Sequence, residues 1–181
     1  MNRFLAIVAL VALSAAPALA DPTNDLKNAM IGLATAKSYH LSITTAGGHT
    51  AEGDVVNPGR VHLTAGPMDV IVIDKTTYVK IQGGWHQFAM PGMDHIMGPV
   101  AMVQNFAKTH DDMIVTDLGP KTVDGTVLHA YGVKNAGSAK NAVVYIDASG
   151  LPARIENTDS EGLNVVKFSN FNGPITIEAP V

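Results

Sequence analysis

Soft metal ligands gather in one stretch of this chain, as Trp85-His86 and then Met93-Asp94-His95-Ile96-Met97. Thioether and imidazole donors suit copper, so a site built from His86, Met93, His95 and Met97 is one chemistry these residues could support. Their spacing matches no established metal motif, and methionine at helical spacing also fills apolar cores. His110-Asp111-Asp112 has the residue types for acid–base work or cation binding, and equally those of a solvated turn. Ser149 lies in Asp147-Ala148-Ser149-Gly150-Leu151-Pro152, which lacks the Gly-x-Ser-x-Gly pattern of a nucleophile elbow and reads as a hairpin turn. There is no cysteine, which excludes a catalytic thiol, a thiolate metal site and a disulfide framework. A glycine-rich phosphate loop and a zincin helix motif are also missing. The polar residues point away from an enzyme, and no cofactor is expected.

The apolar residues carry a different chemistry. Met93, Ile96, Met97, Val100, Ala101, Met102, Val103 and Phe106 cover more than one face of a helix, which Gly98-Pro99 would kink or split. A helix apolar nearly all round is buried on several sides or faces a cavity. Met90, Met93, Met97, Met102 and Met113 concentrate here, and flexible, polarizable side chains let a cavity wall adapt to its contents. Burying an acyl chain contributes about 0.8 kcal/mol per methylene, so shape alone could hold one without a charged anchor. The alternative is a filled, dry core.

The elements that would position these residues follow from periodicity. Residues 21–37 read as one helix, capped by Asp21 or Thr23, with Leu26, Met30, Leu33 and Ala34 at helical spacing. From Tyr39 the period changes to two: Tyr39, Leu41 and Ile43 alternate with His40, Ser42 and Thr44. Further strands are expected at residues 50–56, 61–64, 68–73, 76–82, 85–88, 113–118, 122–134, 142–148, 153–160 and 163–171. A last short one is expected at 175–178. Tight turns separate them, among them Gly47-Gly48, Asn57-Pro58-Gly59, Gly83-Gly84, Gly119-Pro120 and Glu161-Gly162. Short strands joined this way make an antiparallel meander. About ten or eleven strands in one sheet imply strong curling. The expected class is α+β, mainly β: an unclosed half-barrel with an N-terminal helix and a helical lid over residues 93–106 on its concave side.

Residues 1–20 have the three parts of a secretory signal: the positive Met1-Asn2-Arg3, an apolar run from Phe4, and Ala18-Leu19-Ala20 at the end. The apolar run is short for a membrane span, which needs about 20 residues. Cleavage after Ala20 would leave a single domain, residues 21–181, without a stable membrane anchor. The formal net charge of −4 becomes −5 once Arg3 is removed. An acidic chain without Lys/Arg clusters is a poor partner for nucleic acid or an anionic membrane surface. Asp21 stands where a lipoprotein would carry its lipidated cysteine, and an exported domain without disulfides suits a bacterial periplasm.

The order of these elements and several local motifs resemble the LolA-like superfamily of bacterial envelope proteins, including the LppX/LprG-type lipoproteins. The resemblance lies in Val55-Val56-Asn57-Pro58-Gly59-Arg60-Val61-His62-Leu63, Val70-Ile71-Val72-Ile73-Asp74, Thr77-Tyr78-Val79-Lys80 and Gly84-Trp85. It continues in Tyr145-Ile146-Asp147-Ala148-Ser149-Gly150-Leu151-Pro152-Ala153-Arg154-Ile155 and from Phe168 to Pro180. It implies a half-barrel whose concave apolar face holds a lipid or the acyl group of a protein partner. The lipobox cysteine of the LppX/LprG pattern is absent. On this basis the candidate cavity residues are Tyr39, Leu41, Ile43, Val70, Val72, Tyr78, Trp85, Phe88, Met93, Ile96, Met97, Val100, Phe106, Met113 and Val115. Trp85 could sit at the cavity mouth or plug a sheet edge. The expected function is a periplasmic lipid or lipoprotein carrier. The alternatives are an interaction or envelope-sensing module without a ligand, and the Met/His copper protein.

Overall fold

A computed structural model describes residues 21–88, 113–135 and 141–180. Helix α1 spans Pro22–Thr35, with Asp21 as its N-cap accepting the Thr23 N–H at 3.0 Å. Pro22 sits in the first turn, where a missing N–H costs nothing. Leu26, Ala29, Met30 and Leu33 are its buried residues, a stripe at spacings of three and four. The helix ends where the Asn57 side-chain amide donates to the carbonyls of Ala34 (3.3 Å) and Ala36 (2.7 Å), satisfying acceptors that the last turn leaves open.

Eleven strands follow: β1 (Ser38–Thr44), β2 (Thr50–Val56), β3 (Arg60–Ala65), β4 (Met68–Ile73), β5 (Thr76–Ile81), β6 (Gly84–Phe88), β7 (Met113–Val123), β8 (Thr126–Asn135), β9 (Asn141–Ile146), β10 (Pro152–Asp159) and β11 (Gly162–Ser169). They form one antiparallel sheet in the order β6-β5-β4-β3-β2-β1-β11-β10-β9-β8-β7. Two meanders, β1–β6 and β7–β11, therefore meet at the β1–β11 seam, where Leu41 faces Phe168 and Ile43 faces Val166. Among the described residues β6 and β7 are the edge strands, and the sheet is a half-barrel that does not close between them. This matches the expected fold class. The expected lid over residues 93–106 lies outside the described residues.

Two local expectations are corrected. Gly119-Pro120 is not a turn: β7 runs through it with a bulge between Asp117 and Gly119, and Asp117 Oδ1 accepts the Gly119 N–H at 2.7 Å. The hairpin turn is Asp124-Gly125, both at positive φ, the geometry that two-residue hairpins favour. Residues 175–178 form no strand. The C-terminal segment is tied instead to the start of β1: the Ser38 hydroxyl donates to the Gly173 carbonyl at 2.7 Å, and the Asn172 side chain accepts the Lys37 N–H at 2.8 Å. Ile177 is buried, and its carbonyl accepts from Arg60 at 2.7 Å.

The core lies between α1 and one face of the sheet. Leu26, Met30 and Leu33 pack there with Tyr39, Leu41, Val55, Val61, Tyr131, Val144, Ile155 and Phe168. The helix packs against β7, β9 and β10, so it covers the second meander. Its approach to the β9–β10 turn is close: a Cβ on Gly32 would stand 2.7 Å from Leu151.

Candidate functional site: the concave apolar face

Cross-strand register sorts the sheet into two faces. On the concave face, one row runs Thr77–Val72–Val61–Val55–Tyr39 across β5 to β1. Two residues along, a second row runs Val79–Val70–Leu63–Gly53–Leu41–Phe168 and crosses the seam into β11. In the second meander a third row runs Val166–Ile155–Val144–Tyr131, starting from Ile43 on β1. An apolar surface is thus continuous across most of the sheet, because every second residue of each strand faces it. Among the described residues α1 is the sole helix, and it packs on the second meander.

Most of the described candidates sit on this face. Tyr39, Leu41 and Val70 are buried there, Ile43, Val72, Met113 and Val115 pack partly buried around the core, and Phe88 pairs with Thr77 on it. Tyr78 and Trp85 lie elsewhere. Tyr78 stands opposite Ile71 and Trp85 opposite Lys80, both on the convex register. Trp85 has the Lys80 ammonium 5.6 Å from its ring centroid, a cation–π contact at the surface. Met93, His95, Ile96, Met97, Val100 and Phe106 fall outside the described residues. His86 is exposed on β6, and among the described residues no group of His, Asp or Glu could hold a metal ion. Ser149 lies in a turn, its N–H and hydroxyl both bonded to Asp147.

Beyond Met113 and Val115, the sequence had not singled out the second meander's contribution: Tyr131, Val133, Val144, Ile155, Val166 and Phe168. Alternation in 131–133 and 144–146 was the available signal, and only the register shows that it continues the Tyr39–Ile43 face. Polar groups on this face are few. Burial pushes the Tyr39 hydroxyl up to about 12, while its ring meets Phe168 and Phe171 at 5.9 and 6.0 Å. Tyr131 donates to Asp25 of α1 at 3.2 Å, and burial with the Asp25 carboxylate raises it to about 12. His129 stacks on Tyr131 and bonds Asp117 at 2.6 Å, beside the α1 end of the groove. The Gly119 N–H and then His129 hold the Asp117 carboxyl below its ordinary value.

The polar residues of the convex face are largely paired. The His40 imidazole lies between Asp54 and Glu52, both at 2.8 Å, and His62 bonds Asp69 at 2.7 Å. Arg154 binds Glu156 at 2.7 Å, which also accepts from the Tyr145 hydroxyl at 2.9 Å. Asp124, at the β7–β8 turn, reaches Lys167 at 2.7 Å and Arg154 at 3.4 Å. Apart from His129–Asp117, the ion pairs thus lie on the outside of the sheet, while the inside offers mainly apolar area.

This open antiparallel half-barrel, with an apolar concave face and a helix laid across it, has the fold of the lipoprotein LppX and of LprF. The chain is similar to the lipoprotein LppX of Mycobacterium tuberculosis, with a TM-score of 0.65 at 16% identity over 86% of this chain and 97% of that one. LprF from Mycobacterium bovis gives 0.63 at 15% identity, over 88% and 96%. The complex structure of Pseudomonas aeruginosa MucA/MucB gives 0.50 at 12% identity, over 85% of this chain and 56% of that chain. At these identities the likeness is one of fold. Neither a protein-family model nor a curated protein matches the sequence. No helix among the described residues is long and apolar enough to cross a membrane.

Proposed function

We propose that the chain is exported to the periplasm, loses residues 1–20, and acts there as a carrier or sensor that holds a lipid or a protein-borne acyl chain against its concave face. The observation that carries this is the continuous apolar surface of an unclosed sheet, on a fold shared with the lipoprotein LppX and with LprF. Apolar transfer needs no anchor: at about 0.8 kcal/mol per methylene, a long chain binds through area alone.

The test is uptake. Native mass spectrometry of protein taken from an envelope fraction should show a co-purifying amphiphile, and the delipidated protein should take up a fluorescent fatty acid. Val72→Ser should weaken uptake while leaving a cooperative thermal transition, since Val72 is only partly buried. Finding neither amphiphile nor uptake rejects the proposal.

The MucA/MucB structure favours a second reading, in which the same scaffold receives a protein partner. β6 and β7 are unpaired strand edges, the feature that strand-adding partners use. Pull-down of a stoichiometric partner by a protein with a dry interior would select this reading over the first.

A further inference from the structure

Resting on the carrier reading above, we infer where the ligand enters and which way round it lies. The portal is the rim at the β4 start and β5 end, where Met68 and Ile81 lie just beyond the last paired residues, Val70 and Val79. Both carry the concave register: Met68 is two residues from Val70 and Ile81 two from Val79, and Val70 faces Val79 across the strands. Both are large apolar side chains left open, at 42% and 44% exposure. Two residues further in, Val70 is 2% exposed. Ala65 faces Met68, and Ile43 faces Ala51, so the rim stays apolar from β5 to the seam. The apolar surface therefore begins in solvent and runs without a polar step into the buried rows.

Other exposed apolar residues at this end do not lead inward. Ile114 faces Lys134 and Leu163 faces Thr158, both on the convex register. The concave register alone joins an exposed apolar pair to the groove.

Charge sets the orientation. The described strands hold six cationic residues: Arg60, Lys80, Lys121, Lys134, Arg154 and Lys167. Each lies on the convex register. A phosphate or carboxylate carried into the groove would meet no strand cation, and at the α1 end would meet the Asp25 and Asp117 carboxylates. Burying an unpaired charge is costly, so the acyl chain goes in tail first and any ionised head remains at the Met68–Ile81 rim.

The test is the rate of transfer of a pyrene-labelled diacylglycerol from phosphatidylcholine vesicles, followed by stopped-flow fluorescence on the mature full chain. In M68S/I81S, loading and release should both slow about tenfold, with affinity changed less than about twofold, because a portal acts on the barrier and not on the seat. Ile114→Ser, the loss of a still more exposed apolar side chain on the other face, should load at the wild-type rate. Unchanged rates in M68S/I81S overturn the portal. So does unchanged loading with faster release, which would make the rim part of the seat, or a changed oligomeric state with unchanged loading. If the wild type itself takes up no probe, the carrier reading fails and the portal falls with it.

Discussion

His40 offers a direct measure of how the convex face contributes to stability. Its Nδ1 lies 2.8 Å from Asp54 and its Nε2 2.8 Å from Glu52. Ionised carboxylates only accept, so both ring nitrogens must donate, and the geometry requires an imidazolium. Burial by itself would lower the His40 pKa, but the hydrogen bonds and charges of Asp54 and Glu52 outweigh it and raise the value above normal. Around the ring stand Asp54 and Glu52 on β2, His62 beyond them on β3, and Ser169 with Lys167 on β11. A group whose folded pKa is raised contributes fully below its unfolded value, about 6.5, and loses that contribution as pH rises through the folded value.

The side chains are 36% (His40), 54% (Glu52) and 38% (Asp54) exposed, so water screens both pairs. Exposed pairs give about 0.2–1 kcal/mol each, and two of them together about 0.5–1.5 kcal/mol. The assay is urea unfolding of wild type and His40→Gln across pH, taking the difference at each pH so that the other histidines cancel. The difference should be about 0.5–1.5 kcal/mol near pH 5.5 and shrink steadily above about pH 6.5. A difference independent of pH, or a ring resonance in NMR titrating below the unfolded value, refutes the doubly bonded imidazolium.

Two further changes probe the packing around the groove. Leu33→Ala removes a side chain with 0% exposure from the centre of α1's packed stripe. It should cost about 3 kcal/mol and lower Tm by roughly 6–12 °C in thermal circular dichroism; a loss below about 1 kcal/mol would mean that α1 is not packed as described. Gly53→Val adds a Cβ that would meet the Leu63 side chain and the His62 carbonyl oxygen, the latter at 2.9 Å. Backbone cannot yield as a side chain can, so the variant should be about 1–3 kcal/mol less stable by urea titration, and equal stability would show unrecognised room between β2 and β3.

Much of the architecture was legible because local signals agreed with it. The Asp21 cap, the 26–30–33 stripe and the alternation from Tyr39 to Ile43 each have a short-range cause, and the structure shows all three. The failures came where two local signals competed or a decision was non-local. Gly119-Pro120 and Asp124-Gly125 are both turn signals within one run. Asp-Gly suits a two-residue hairpin, while β7 is an edge strand that tolerates a proline lacking an N–H. Residues 175–178 alternate as a strand would, yet β11 already has neighbours on both sides and the free edges are β6 and β7. No edge is available there, so the segment stays strandless, with Ile177 buried and its carbonyl held by Arg60. Facing was the hardest point. Val70 and Ile71 are both buried, so alternation could not decide which face Tyr78 and Trp85 share with β4.

The strand order has a mechanical consequence for any ligand held inside. The two halves of the concave face are separate meanders, each built from sequence-local hairpins, and among the described residues the strand pair joining them is β1 with β11. Groove width therefore depends on one non-local seam. The structure stiffens that seam from several directions. Tyr39 packs edge-on to Phe168 across it and against Phe171 beyond it, while Lys37 and Ser38 bind Asn172 and Gly173 at its end. Helix α1 ties the same region to both walls, through Asn57 on the first meander and through Tyr131, which reaches Asp25 from the second. Pinned at its middle from both meanders, the sheet keeps the inner rows of its concave face in register across the seam.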